Sequence, residues 1–365
     1  MRIPVCFRLP QQRSSRWRRP LLLLAVGCAA VIAAVSSCSA RRSGTGQKTA
    51  GLVVASPHPL MLLTPIIQNF ENETGITVQV VQGGTGILLE NIRRYPDVAE
   101  YDILWGGSYS SILPAASLFE SYVSINDGFM QPVYKNTEGT MNRFSDIPSV
   151  IMVNKNLLGA VQVTGYGSLL DPRLKGLIAF SDPEASSSSW EHIINMLYDA
   201  GHGDPDHGWW YVDALCNNLD GVLLDSSQAV YAGVADGKFA VGLTFEEGGA
   251  NYAENDPNIG LVYMDEGVVF TPDGVYMPKN APHRDTAKKF IDYVTGYDVQ
   301  NYISQVMNRR SVLHDVEPKS FLPSKDSLPC VAVDYEAVAA NKQKWIAHFH
   351  DLFENSVKDI PYDGR

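Results

Sequence analysis

Ser181-Asp182-Pro183-Glu184-Ala185-Ser186-Ser187-Ser188-Ser189-Trp190 follows the apolar run Leu177-Ile178-Ala179-Phe180. The order predicts a short strand that empties into a serine-rich turn, with a helix over 190–199. Several hydroxyls and unpaired backbone N–H groups then meet at one helix N-terminus, which suits an anion. Taken alone, the stretch reads more simply as a capped helix start, with Ser189 or a neighbour as the cap. The rest of the chain has to decide between the two.

Upstream the same unit recurs. Residues 51–55 are an apolar run typical of a buried parallel strand, followed by Ser56-Pro57-His58-Pro59 and an amphipathic helix through Phe70. A second strand over 76–81 ends in Gln82-Gly83-Gly84-Thr85-Gly86, and a helix follows through Arg94. A third strand over 101–105 leads into Gly106-Gly107-Ser108-Tyr109. Three strand–loop–helix units in succession predict an α/β domain with a mainly parallel sheet. Ligands of such sheets collect outside the carboxyl ends of the strands. Those ends carry Ser56 and His58, then Thr85 and Gly86, then Trp105, Ser108 and Tyr109. The glycine turn alone is weak, because it has neither the full GxGxxG pattern nor a Walker lysine.

Downstream, the apolar strand 149–154 comes where the first domain would be complete and reads as a crossover into a second lobe. That lobe holds the serine loop, a helix over 209–219 and a strand over 221–224. Asp225 is the expected N-cap of a helix through 236, and a strand over 239–244 is followed by Glu246 and Glu247. Residues 268–270 and 275–277, separated by Thr271-Pro272-Asp273-Gly274, read as the return crossover. Helices over 283–295 and 335–353 complete the chain. The expected division is 51–150 and 275–365 for the first lobe and 151–274 for the second.

The N-terminus has a separate purpose. Residues 1–37 contain six arginines and no acidic residue, and an apolar stretch over 21–35 too short to span a membrane. This reads as a signal peptide. Val35-Ser36-Ser37-Cys38 is similar to a bacterial lipobox, making Cys38 the expected lipidation site, with 38–50 a flexible tether. Losing those six positive charges takes the net charge from −11 to −17, which argues against nucleic acid as a partner. The body of the protein is expected in the periplasm or cell envelope, touching the membrane only through the lipid. Of the five cysteines, Cys216 and Cys330 remain in the folded part; spacing does not say whether they pair, and Cys216 falls in an apolar helical pattern that suits a buried thiol.

Catalytic signatures are lacking: there is no GxSxG, HExxH, paired CxxC or EF-hand loop. His202 and His207 lie in a turn-rich loop that reads as solvated, and His348 and His350 face opposite sides of one helix. Glu246 and Glu247 are adjacent and would diverge on a helix. No metal site and no cofactor are expected.

Gly-Gly-Thr-Gly at 83–86, Asp102-Ile103-Leu104-Trp105-Gly106-Gly107, Leu170-Asp171-Pro172-Arg173-Leu174-Lys175-Gly176, Asp182-Pro183 with four serines, Leu224-Asp225-Ser226-Ser227, Leu243-Thr244-Phe245-Glu246-Glu247 and Pro272-Asp273-Gly274-Val275 stand in an order that resembles one family. It is the periplasmic substrate-binding proteins of ABC importers, of the type with ferric-binding and hexose-phosphate-binding members. The resemblance spans nearly all of 51–355. It implies an α/β, two-lobed, type II-like fold with two mainly parallel-core sheets, flanking helices and two crossover strands. It implies a monomer without enzymatic activity that closes on a small solute between the lobes and delivers it to an inner-membrane permease.

Ferric-binding members carry a tandem tyrosine pair where this chain has Glu246-Glu247, which weakens that reading. By the resemblance, Ser187, Ser188, Ser189 and Thr85 would hold a phosphate, and Asp225 with Glu246 or Glu247 would read a sugar. Trp105 and Tyr109 could stack on a ring; Ser56, His58, Gly86, Ser108 and Asp273 complete the expected site. A sugar-phosphate-like solute ranks first, thiamine or its phosphate second, ferric ion third. A secreted hydrolase on the same scaffold stays open, and would need His58 within reach of a cleft serine; an envelope adhesin or scaffold is a third class.

Overall fold

A computed structural model of the chain describes residues 51–95 and 99–358. The expected signal peptide, the expected tether and Cys38 lie outside the described residues.

The first units form as their patterns dictate. β1 (Leu52–Ser56) is buried along nearly its whole length. α1 (Leu60–Thr74) places Leu62, Ile66 and Phe70 four residues apart on its inner face. β2 (Val78–Gln82), α2 (Thr85–Arg94), β3 (Ile103–Ser108) and the single turn α3 (Tyr109–Ile112) follow. β1 pairs in parallel with both β2 and β3. β4 (Asn142–Asn154) is 13 residues long, far longer than expected. Its first half pairs antiparallel with a later strand, β8 (Phe270–Tyr276), and its second half runs between β6 (Val241–Phe245) and β7 (Ile259–Val262). One strand therefore belongs to two sheets.

The second region contains β5 (Ile178–Ala179), α4 (Ser187–Ala200), α5 (Trp209–Leu219), α6 (Ser227–Ala235), β6 (Val241–Phe245), α7 (Glu246–Ala253) and β7 (Ile259–Val262). The expected strand over 221–224 is reduced to one bridge between Leu224 and Ser181. β8 (Phe270–Tyr276) is a single strand, not two pieces around a turn. Asp273 explains why: its Oδ1 accepts from Ser145 N at 3.0 Å, so the Pro-Asp-Gly segment is held extended against β4. α8 (Arg284–Val294), α9 (Tyr297–Met307), β9 (Arg310–Ser311) and α10 (Tyr335–Lys358) end the chain. The strand order is β2-β1-β3-β8-β4-β6-β5, with β7 and β9 also on β4.

Separate cores lie on either side of the crossing strands. One gathers Leu52, Phe70, Trp105, Phe144 and Phe290; another gathers Ile151, Phe180, Trp190, Ile194 and Leu215. α10 sends Trp345 and Phe349 into the second of these, with Trp345 6.1 Å from Trp190, although the sequence placed 275–365 with the first lobe. Cys216 is buried and Cys330 exposed, and both are free.

Candidate functional site

The carboxyl ends of the strands and the crossing strands enclose a cavity of about 300 Å³. Ser56 ends β1, and residues 82–85 carry the chain from β2 into α2. β3 breaks register with β8 between Trp105 and Ser108, where Gly106 and Gly107 adopt φ of 116° and 92°. Only glycine enters that region without strain, and the bulge brings Ser108 to the cavity wall. Opposite stand residues 185–188 and 226–228. β4 contributes Ser149, β8 contributes Thr271 and Asp273, and Arg309 reaches in before β9.

Three helices begin at this cavity. α2 starts after Gly84, which supplies no side-chain cap. α4 starts after Ser186, whose Oγ accepts from Ser189 N at 3.4 Å, and α6 after Ser226, whose Oγ accepts from Ala229 N at 3.3 Å. Free N–H groups and the positive ends of three helix dipoles thus converge on one space. Ser188 Oγ is buried there without a hydrogen-bond partner. Thr85 Oγ1 donates to Ser187 Oγ across the cleft at 3.4 Å. A Cβ on Gly86 would lie 2.2 Å from the Glu184 carbonyl oxygen, so the two walls touch backbone to backbone.

The base of the cavity is ionic. α9 ends at Asn308 in the left-handed conformation, and the extended residues after it point to opposite sides. Arg309 Nε donates to Ser145 Oγ at 2.7 Å, Nη2 to Asp273 Oδ2 at 3.1 Å, and Nη1 to Glu247. His58 sits between Arg309 and Asp273, its Nε2 3.2 Å from Asp273 Oδ2. Burial and then the Arg309 guanidinium lower the His58 pKa, favouring the neutral ring. Burial works to raise Asp273, but Arg309, His58 and Ser145 together hold it below the usual carboxylate range. Burial pushes Glu247 up against the pull of Arg309. Arg310, on the other side, meets Glu246 through two bonds of 2.7 Å.

Of the expected residues, Ser56, His58, Thr85, Ser108, Ser187, Ser188 and Asp273 line the cavity. The others do not. Gly86 makes the wall-to-wall contact. Trp105 is fully buried in the first core, edge-on to Phe144 at 5.1 Å and Phe290 at 5.3 Å, because its side chain points to the other face of β3. Tyr109 turns to Glu138 and packs on Tyr335. Ser189 is buried against Ser181, 2.5 Å from its hydroxyl. Asp225 is exposed, and Ser226 takes the capping role assigned to it. Glu246 and Glu247 pair with Arg310 and Arg309. The hydrolase arrangement is not formed either: both His58 ring nitrogens face Arg309 and Asp273, not a serine hydroxyl.

Sequence reasoning missed Glu191, Ser149, Thr271, Ser226, Ser227 and Arg309. Glu191 had a signal, since it lies one turn beyond Ser187 and Ser188 on a helix that was expected. Ser226-Ser227 repeats the serine-before-helix signature. Arg309 had none, because β9 is two residues long and its pairing is entirely non-local.

A two-lobed α/β architecture, with crossing strands and a cleft at the strand ends, defines the periplasmic binding proteins as a class. The model of the family described as bacterial extracellular solute-binding protein matches residues 52–305, and the chain belongs to that family. It is accordingly a solute-binding protein of an ABC importer, not an enzyme, and works outside the cytoplasm. Iron uptake protein A1 of a Synechocystis species is 23% identical over 258 residues, covering 65% of this chain and 68% of that protein. The structure of the periplasmic binding protein AfuA from Actinobacillus pleuropneumoniae, with exogenous fructose-6-phosphate bound, superposes with a TM-score of 0.77 at 20% identity, over 83% of this chain and 98% of that one. The ferric binding protein from Campylobacter jejuni gives 0.68 at 17% identity, over 84% and 99%.

Proposed function

We propose that the cleft captures a small organic solute bearing a phosphoryl-type anion, of sugar-phosphate size, and that the chain hands it to an inner-membrane permease. The observation that carries this reading is the convergence of three helix N-termini on a cavity where Ser188 Oγ has no protein partner. Such a cradle supplies N–H and O–H donors to phosphate oxygens without a free cation. Arg309 does not compete for that role, since two carboxylates and a serine already engage it.

The alternatives have less support from the residues first assigned to them. Thiamine would want the aromatic faces of Trp105 and Tyr109, and neither reaches the cavity. Ferric ion would want the tandem tyrosine pair, and in its place stand Glu246 and Glu247, each engaged by an arginine.

The test is calorimetry of the mature protein against a panel of hexose phosphates. The double variant Ser187→Ala, Ser188→Ala should bind the preferred compound about 10- to 100-fold more weakly, as expected for lost charge-assisted bonds. Unchanged affinity in the double variant, or no phosphorylated compound bound by the wild type, would sink the assignment.

A further inference from the structure

We infer that Glu191 makes this cleft selective for anions that carry a hydrogen of their own to donate, so that a protonated phosphoryl group is accepted and a sulfate-type anion refused. The inference rests on the reading of the cleft as an anion site and adds a rule about which anion enters.

Glu191 lies three and four residues beyond Ser188 and Ser187, and all three line the cavity. They therefore share one side of α4, the hydroxyls at its first turn and the carboxylate one turn deeper. Glu191 is only 5% exposed. Its Oε2 accepts from Thr271 Oγ1 at 2.7 Å and its Oε1 from Ser110 Oγ. Among the described residues its hydrogen-bonding partners are hydroxyls, unlike Glu246, Glu247 and Asp273, which each have an arginine.

The surroundings are otherwise short of charge. Ser108 and Ser110 face Glu191 from the first region and Thr271 from β8, whose Asp273 is held by Arg309 beside the neutral His58. From α10, Tyr335 O–H bonds with Thr271 at 3.0 Å. Lys342 acts from further off: its Nζ donates to Ser111 O at 3.5 Å and lies 5.3 Å from the Trp190 ring centre. Burial lowers the Lys342 pKa to about 8 and raises that of Glu191, the serine and threonine donors holding the latter back in part.

In its ionised form, which the hydroxyl donors favour and burial opposes, a Glu191 oxygen with one donor retains acceptor capacity. An incoming anion with no hydrogen meets it as a like charge in a poorly solvated space, which is repulsive. An anion with P–OH turns the same contact into a charge-assisted hydrogen bond. Discrimination thus comes from penalising the wrong anion as much as from holding the right one.

The experiment uses inorganic phosphate and sulfate as probes, by calorimetry at about pH 6, where phosphate retains a proton. The wild type should prefer phosphate by about tenfold or more, and Glu191→Gln should bring the two within about threefold. A preference that survives in Glu191→Gln, or an equal loss for both anions, overturns the inference and leaves Glu191 a structural tie. So does a wild type that binds hexose phosphates through Ser187 and Ser188 but no inorganic phosphate; in that case the anion cleft itself stands. A wild type that binds no phosphorylated compound overturns both. Should Glu191→Gln not fold, the wild type alone decides. Its affinity for a hexose phosphate, a monoester that loses its last P–OH over this range, should fall from about pH 6 to about pH 8 relative to its sulfate affinity, since titration of Lys342 acts on both anions and cancels in the ratio. Parallel profiles overturn the inference.

Discussion

Gly86 occupies a place where no side chain fits. With a Cβ 2.2 Å from the Glu184 carbonyl oxygen and a Cβ on Gly84 2.6 Å from that of Ala185, the walls meet only because both glycines are bare. Gly86→Val should keep the cleft from closing and weaken solute capture by at least about tenfold while leaving the melting temperature nearly unchanged. Calorimetry paired with small-angle scattering checks this; wild-type affinity with normal contraction on ligand addition would show that the contact is not part of closure. Residue identity was legible here only in part. The glycines at 83–86 announced a tight turn, and nothing local announced the backbone they would touch 100 residues later. Trp105 failed for a related reason: a residue near a strand end points inward or outward according to the bulge beside it, and Gly106-Gly107 fixes that bulge only once β8 is paired.

The elements that were readable are those whose burial is periodic. α1, α5 and α8 show one apolar face, and their ranges follow from it within a few residues. β8 read as two strands because Pro-Asp-Gly has the chemistry of a turn, whereas its pairing with β3 and β4 and the bonds of Asp273 to Ser145 and Arg309, all distant in sequence, hold it straight. α4 carries a second buried titratable group besides Glu191. His192 lies 2.7 Å from Tyr166 Oη through Nδ1 and 2.8 Å from Thr244 O through Nε2, and burial lowers its pKa to about 4. Its unfolded value is about 6.5, so below that pH the unfolded chain takes up a proton that the folded chain refuses. Stability from this site is therefore complete above about pH 6.5 and lost as pH falls towards 4, by about 3 kcal/mol in all. Denaturant titrations over that window should show a shallower decline in His192→Gln than in the wild type; identical slopes would remove His192 as the cause.

At the scale of the molecule, the family and the two-lobed plan were legible because many weak motifs stand in one order, and order survives where single motifs mislead. The solute was not, since the cavity is assembled from many separate stretches whose facing depends on packing. We propose that the lobes divide close to 151 and 275, with α10 lying on the second, and that Cys38 carries a lipid which keeps the protein beside its permease. Among the described residues no helix is long and apolar enough to cross a membrane. Cys38→Ser should move the protein from the membrane fraction to the soluble one, followed by fractionation and intact-mass measurement. An unchanged distribution, or an unmodified Cys38 in the wild type, would remove the anchor. The paired ions at the cleft base have a consequence for chain length. Arg309 meets Glu247 and Arg310 meets Glu246, two neighbours against two neighbours, with the arginines on opposite faces of an extended chain. A slip of one residue would turn each guanidinium to the wrong side and strand two buried carboxylates at once. The joint behaves as a key with two notches: the loop beyond it can vary in length, whereas the step from Met307 to Ser311 admits neither an added residue nor a missing one.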